Sequence, residues 1–301
     1  MLNVHFAHYL FKASYLVDEV IARSVGISYP AINSSELIAI KIGFPSLDEQ
    51  SAIATFLDRE TAKIDTLIAK QEHLIELLQE KRTALISHAV TKGLNPDASM
   101  KDSGVEWLGE VPAHWEVRRL KHNFRLLTQK TDRRENPVAL ENIQSWLGRF
   151  IPTETEFEGE GITFERGDIL FGKLRPYLAK AFLAETAGEA VGDFFVMRPT
   201  SDINGRFALY QILNKEFISI VDGSTFGAKM PRVSWEFMSG MVLAMPTQDE
   251  QSAIAAFLDR KTTKIDTLIQ KARHAIDLLK ERRTALISAA VTGKIDVRDG
   301  V

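Results

Sequence analysis

Two short basic segments, each bounded by Gly and Pro, hold the side chains with the most usable chemistry. Phe171-Gly-Lys-Leu-Arg-Pro176 presents Lys173 and Arg175, and Gly223-Ser-Thr-Phe-Gly-Ala-Lys-Met-Pro-Arg232 presents Lys229 and Arg232. Lys and Arg in such loops can neutralise phosphates, an Arg fork can reach acceptors on base edges, and Gly lets a backbone come close to a duplex. A third group follows from density: Arg118, Arg119, Lys121, Arg125, Lys130, Arg133 and Arg134 lie within seventeen residues whose one acid is Asp132. Arg149 follows beside Trp146 and Gly148. Lys173, Arg175, Lys229 and Arg232, and after them Lys130, Arg133 and Arg149, are the candidate DNA contacts. The formal net charge is −3, so attraction to a polyanion must come from a local patch. By composition alone a basic cluster is more commonly a solvated face. The acidic run Glu154, Glu156, Glu158 and Glu160 reads as a loop turned away from any anion.

Catalytic readings find little support. There is no Gly-x-Gly-x-x-Gly or Walker loop, no His-Glu-x-x-His and no nucleophile elbow. Asp168, Asp193 and Lys173 could be imagined as a nuclease constellation, but their spacing matches no pattern of that kind. The absence of cysteine excludes disulfides, thiolate metal sites and a catalytic thiol, and fits a reducing, cytoplasmic setting. His73 and His274 fall on helices, where a surface role is expected. No cofactor and no metal is called for. At 45% hydrophobic and 26% charged, the 301 residues read as an ordinary globular protein. No apolar run approaches 18 residues and no basic-then-apolar leader opens the chain, so no membrane association is expected. Trp107, Trp115 and Trp235 read as core; Trp146 could be core or a stacking platform.

The elements that must position these loops are set by an internal duplication. Residues 45–94 recur at 246–295, at a constant shift of 201, with roughly two thirds of the pairs identical. The same shift, with weaker identity, lays residues 5–22 over 206–223, matching Phe6 with Phe207, Ala7 with Ala208 and Tyr9 with Tyr210. The organisation expected is therefore 1–44 as the tail of a first globular copy, 45–93 as a long helix, 94–245 as a complete globular domain, 246–293 as a second long helix and 294–301 as a tail. A segment as small as 1–44 can hardly bury enough surface to fold alone.

Each long helix opens on a capping box, Ser46-x-x-Glu49 and Thr247-x-x-Glu250, and meets no Gly or Pro until Gly93 and Gly293. About 44 residues at 1.5 Å each make roughly 66 Å, too long for one small core. An apolar stripe runs through Leu57, Ile64, Leu67, Leu74, Leu78 and Leu85, with Ile68 and Ile75 beside it, and through Leu258, Ile265, Leu268, Leu279 and Leu286 in the second copy, with Ile269 and Ile276. A stripe kept over four heptads calls for a partner helix. Two near-identical helices in one chain make mutual pairing the economical answer, antiparallel if the intervening domain turns the chain back. Gln71 interrupts the stripe. Between the helices, short apolar runs at Val138–Ile143, Asp168–Phe171, Ala179–Leu183, Phe194–Met197 and Met241–Ala244 read as strands, and Phe207–Leu213 and Phe217–Val221 as short helices. The fold class expected is α+β: one mixed domain plus two long helices in an antiparallel coiled coil.

Taken together, these residues resemble the DNA sequence-specificity subunits of Type I restriction-modification systems. The resemblance rests on the duplicated Pro-x-x-Asp-Glu-Gln openings at 45–50 and 246–251 and on Lys-Ile-Asp-Thr-Leu-Ile at 63–68 and 264–269. It rests also on Trp107-Leu-Gly-Glu-Val-Pro-Ala-His-Trp115, Gly167-Asp-Ile-Leu-Phe-Gly-Lys-Leu-Arg-Pro176 and Gly223-Ser-Thr-Phe-Gly227. It implies target recognition domains that each read half of a bipartite site in double-stranded DNA, and paired helices that space the half-sites. It also implies a non-catalytic role, docking of modification (methyltransferase) subunits, and a restriction subunit that joins through the complex. The first recognition domain, reduced here to residues 1–44, departs from that pattern. Another chain, or a second copy of this one, could supply the missing half, or the chain could be a defective reader. A coiled-coil scaffold without a DNA role is the competing reading.

Overall fold

The structure, a computed structural model, describes residues 1–153, 159–227 and 229–297. Glu154, Glu156 and Glu158 of the acidic run, Ala228, and residues 298–301 of the tail lie outside the described residues. The chain divides into two compact units, Met1–Leu78 with Asp266–Val301, and Gln79–Ile265.

In chain order the helices are α1 (Val4–Leu10), α2 (Ser14–Arg23), α3 (Ser34–Ile38), α4 (Leu47–Lys92), α5 (Leu120–Asn123), α6 (Gly205–Ile212), α7 (Lys215–Gly223), α8 (Trp235–Gly240) and α9 (Gln248–Val291). The two long helices, of 46 and 44 residues, begin and end where their local signals place them. Glu49 accepts from the Ser46 amide at 3.0 Å while the Glu49 amide donates back to Ser46 Oγ at 3.3 Å, and Thr247 and Glu250 repeat the exchange. Gly93 and Gly293 close them in the left-handed region, at φ +80° and +70°.

In the first unit, α1 and α2 lie on the start of α4 and the end of α9. Phe6, Tyr9, Leu10 and Leu16 pack with Ile53 and Leu57 of α4 and with Ile287, Ala290 and Val291 of α9. The helices run antiparallel there, with Asp65 and Arg283 paired at 3.1 Å. Residues 1–44 thus borrow their core from the long helices, which is how so short a segment is folded.

The second unit repeats this docking at the 201-residue shift. Asn3 caps α1 and Asn204 caps α6; their amides donate to Gln50 Oε1 and Gln251 Oε1, each at 2.8 Å. Tyr9 Oη donates to Asp58 at 2.6 Å, and Tyr210 Oη to Asp259 at 2.7 Å. Ile86, Ala89 and Val90 of α4 face Ile254, Ala255 and Leu258 of α9, again antiparallel. Burial, reinforced by the Asp259 carboxylate, pushes the Tyr210 phenol from its ordinary 10 up to about 12. A folded value above the unfolded one means full stability below pH 10 and a loss between pH 10 and 12. Denaturant titrations should show that loss in the native chain and a smaller one in Tyr210→Phe, which at neutral pH costs about 1 kcal/mol for its hydrogen bonds.

Of the expected seam, Leu57, Ile64, Leu258 and Ile265 are buried, and Leu78, Leu85, Leu279 and Leu286 half-buried. Leu67, Leu74 and Leu268 are exposed, and this corrects the stripe. The heptad itself holds, but the inward partner stands four residues on and not three: Ile269, Ala272 and Ile276 are buried and Ile68 and Ile75 half-buried. Gln71 lines a cavity of about 250 Å³ with Leu74, Leu78 and Leu268.

The strands are β1 (Met100–Asp102), β2 (Glu110–Pro112), β3 (Glu116–Arg119), β4 (Phe124–Leu127), β5 (Lys130–Thr131), β6 (Pro137–Val138), β7 (Ile143–Gln144), β8 (Arg149–Phe150), β9 (Gly161–Phe164), β10 (Ile169–Gly172), β11 (Ala181–Leu183), β12 (Gly188–Val191), β13 (Phe194–Pro199) and β14 (Val242–Met245). They form sheets ordered β11-β10-β13-β4 and β5-β9-β12-β6, with pairs β1-β2, β14-β3 and β7-β8. The central sheet is buried on both faces: Ile169, Phe171, Phe195 and Met197 enter the core under the helices, while Leu170, Phe182, Phe194 and Val196 enter one beneath the second sheet. That is why its strands read as unbroken apolar runs. Val138–Ile143 is not one strand. Asn142 folds back to accept from the Ala139 amide at 2.9 Å and donates to the Ile151 carbonyl, making a 3-10 turn at Leu140–Asn142.

Candidate nucleic-acid interface

The two basic loops meet each other. β10 ends at Gly172, where a Cβ would lie 2.6 Å from Leu140 Cδ2 and 3.3 Å from the Lys180 carbonyl, so any side chain there would have to displace Leu140. The Lys173 amide then donates to the Asp193 carbonyl at 2.9 Å, its carbonyl accepts from Val233 at 3.0 Å, and the Arg175 amide donates to Pro231 at 2.8 Å. Leu174 bridges Arg232, which itself closes a small hairpin with Phe226. Arg175 and Ala179 both sit in the left-handed region, at φ +50° and +47°, bracketing the Pro176–Leu178 turn. For non-glycine residues that costs on the order of 1 kcal/mol each, and it leaves the Arg175 side chain exposed.

One carboxylate organises the cations. Asp193 pairs with Arg232 Nη2 at 2.8 Å and with Lys173 Nζ at 3.6 Å, and that ammonium also lies 5.9 Å above the Phe195 ring. Two positive charges are thereby held around one negative charge in half-open surroundings, with Arg175 and Lys229 exposed on the same pair of loops. The sequence singled out Asp193 only as part of an imagined nuclease constellation and not as the partner of these cations, because they lie far apart along the chain.

The remaining candidates stand elsewhere. Lys130 is on β5 of the second sheet, 2.5 Å from Glu160, whose hydrogen bond and charge push the Lys130 ammonium above its usual range. Arg133 follows β5, and both line a cavity of about 530 Å³ shared with Glu135, Glu165 and Glu189, a mixed setting for an anion. Arg149 lies on the β7-β8 hairpin, opposite Gln144.

The imagined nuclease constellation does not assemble. Asp168 is buried and held bidentately by Arg198, at 2.7 and 2.9 Å, while also accepting from the Glu165 amide. Trp115 is buried, Trp107 meets Phe217 edge-on at 6.2 Å and Trp235 meets Phe195 at 5.4 Å. Trp146, left open by the sequence, packs against the same core with its backbone left-handed at φ +64°, its carbonyl accepting from Arg82. Among the described residues no helix is long and apolar enough to cross a membrane.

Comparison with known proteins agrees with this architecture. Residues 2–77 match the family described as Type I restriction modification DNA specificity domain. The chain is 21% identical over 319 residues to the Type I restriction enzyme EcoDI specificity subunit of Escherichia coli, covering 98% of this chain and 71% of that one. It is 24% identical over 313 residues to the MjaVIII specificity subunit of Methanocaldococcus jannaschii, covering 97% and 71%. Among solved structures, a chain from a study of type I R-M complex assembly and conformational transition superposes with a TM-score of 0.75 at 15% identity, over 98% of this chain and 72% of that one. The HsdS subunit from Thermoanaerobacter tengcongensis superposes at 0.55 and 14% identity, over 97% and 70%. With the duplicated helices and the paired docking networks, these matches make the chain similar along nearly its whole length to specificity subunits of Type I restriction-modification systems, and residues 2–77 carry the match to their DNA specificity domain.

Proposed function

We propose that this chain is a non-catalytic recognition subunit that reads a half-site in double-stranded DNA through residues 94–245 and docks methyltransferase subunits, with a restriction subunit joining through the complex. A cytoplasmic location goes with that role. The observation that carries the reading is the convergence of the two Gly/Pro-bounded loops that hold Lys173, Arg175, Lys229 and Arg232, joined through the Leu174–Arg232 bridge. Phosphate is the natural competitor for the cations that Asp193 holds: a duplex approaching the loops exchanges one carboxylate for several phosphates, and exposed Arg175 is free to reach a base edge. Lys130, Arg133 and Arg149 would supply outlying phosphate contacts.

The test is a salt titration of binding to duplexes selected by the chain together with its modification subunit. Removing one phosphate-neutralising cation, as in Lys173→Ala or Arg175→Ala, should lower the slope of log K against log salt by about 0.9. Circular dichroism checks that the variants stay folded. Slopes unchanged in both variants would remove these loops from the interface, and binding to no duplex at all would favour a scaffold.

A further inference from the structure

The two units share one docking pattern but not one covering. At the 201-residue shift, Ile212 is 0% exposed and its counterpart Phe11 62%; Met238 is 0% and Leu37 46%; Met245 is 2% and Phe44 58%. In the sealed unit residues 114–119 supply one part of that cover, over Met245, the head of α9 and the end of α4. Glu116–Arg119 pairs antiparallel with Val242–Met245. His114 Nε2 lies 2.9 Å from Glu250 at the head of α9. Trp115 packs so closely on the end of α4 that a Cβ on Gly93 would lie 3.2 Å from its ring.

Each receiving surface has an open counterpart in the other unit. Lys41–Phe44, the counterpart of the whole strand Val242–Met245, forms no strand. A groove of about 590 Å³ opens where Phe44, Glu49 at the head of α4, Ile53, and Val291 with Gly293 at the end of α9 come together. The walls that hold a His-Trp corner in one unit therefore face solvent in the other. They present an apolar slot, a carboxylate at its rim and an unpaired stretch of backbone ready to accept a strand.

We propose that this groove is a docking site for an extended segment of the type Trp-Leu-Gly-Glu-Val-Pro-Ala-His-Trp with its following β-strand. The two tryptophans fill the slot, the histidine meets Glu49, and the strand adds to Lys41–Phe44. The inference rests on the internal duplication alone and is read without DNA, so it stands or falls separately from the recognition loops.

The chain contains no cysteine, so Phe44→Cys puts a single thiol at the rim of the groove in the full chain, and Met245→Cys supplies the sealed reference. The probe is a synthetic peptide of residues 106–119. At saturation it should slow alkylation at position 44 at least tenfold, towards the rate at position 245. It should also protect the amides of Lys41–Phe44 from hydrogen exchange in the unsubstituted chain. A peptide carrying Trp107→Ala and Trp115→Ala should do neither. No protection by the native peptide, or equal protection by the substituted one, overturns the proposal. Protection that grows with the concentration of the chain itself, without peptide, also overturns it and assigns the face to self-association.

Discussion

Trp115→Ala should destabilise the Gln79–Ile265 unit by about 3–5 kcal/mol, the range for truncating a fully buried aromatic side chain. The ring is 1% exposed and lies among Ile86, Ala89 and Val90 of α4 with Leu108 and Val111 of its own segment. Its neighbours sit on helices and strands fixed by long-range pairing, so the site can collapse only partly around the void. The effect also has an address. Glu116, the next residue, begins the strand that pairs with Met245, and the Trp115 carbonyl accepts from Lys101 Nζ at 2.6 Å. Losing the anchor should therefore raise hydrogen exchange in Glu116–Arg119 and Val242–Met245 before it affects the central sheet. Urea unfolding gives the magnitude, read as a fall in midpoint at constant slope. A cost below about 1 kcal/mol would mean that the ring does not hold the strand in place, and would weaken the groove comparison with it.

How far the sequence carried this architecture depends on how local each signal is. Helix ends were legible because a capping box and a left-handed glycine act within four residues of themselves; Ser46, Glu49 and Gly93 needed no tertiary knowledge. The duplication was legible because it is a matter of identity, and it brought with it the equivalence of Tyr9 with Tyr210. The seam was half legible: Leu57 and Ile64 close it, but where two apolar residues stand side by side, as Leu67 with Ile68 and Leu74 with Ile75, the pattern alone does not say which of the two turns inward, and it is the isoleucines that do. At Val138–Ile143, apolar character suggested a strand and the Asn142 side chain made a turn, a competition that hydrophobicity cannot register. The recognition loops were recognisable as basic and Gly/Pro-bounded one at a time. Their joining through Leu174 and Arg232, and the role of Asp193 between them, are products of sheet topology and left no mark on local spacing.

Arg198→Ala should cost about 2–3 kcal/mol, and the reciprocal Asp168→Ala clearly less. Breaking a buried ion pair typically costs about 3–5 kcal/mol because an uncompensated charge stays behind. Here the two partners differ. The Asp168 side chain is 2% exposed and Arg198 32%, so some water reaches the guanidinium side and the larger figure is discounted accordingly. Without Arg198, the Asp168 carboxylate keeps only the Glu165 amide, at 2.7 Å, within a core formed by β10 and β13. Without Asp168, Arg198 keeps its ion pair with Glu165 at 2.8 Å and turns further into solvent. Arg198→Lys should recover only part of the stability, since an ammonium cannot match both carboxylate oxygens as the fork does. A double-mutant cycle measured by chemical denaturation gives the coupling, and equal costs for the two single truncations would show that burial of Asp168 is not what the pair manages. Because neither side chain touches the joined loops of Lys173 and Arg232, each variant, held at a temperature where it is folded, should bind DNA with an unchanged salt slope; a shift would mean that the pair sets the height of Asp193 through β13, and the site would then extend into the sheet.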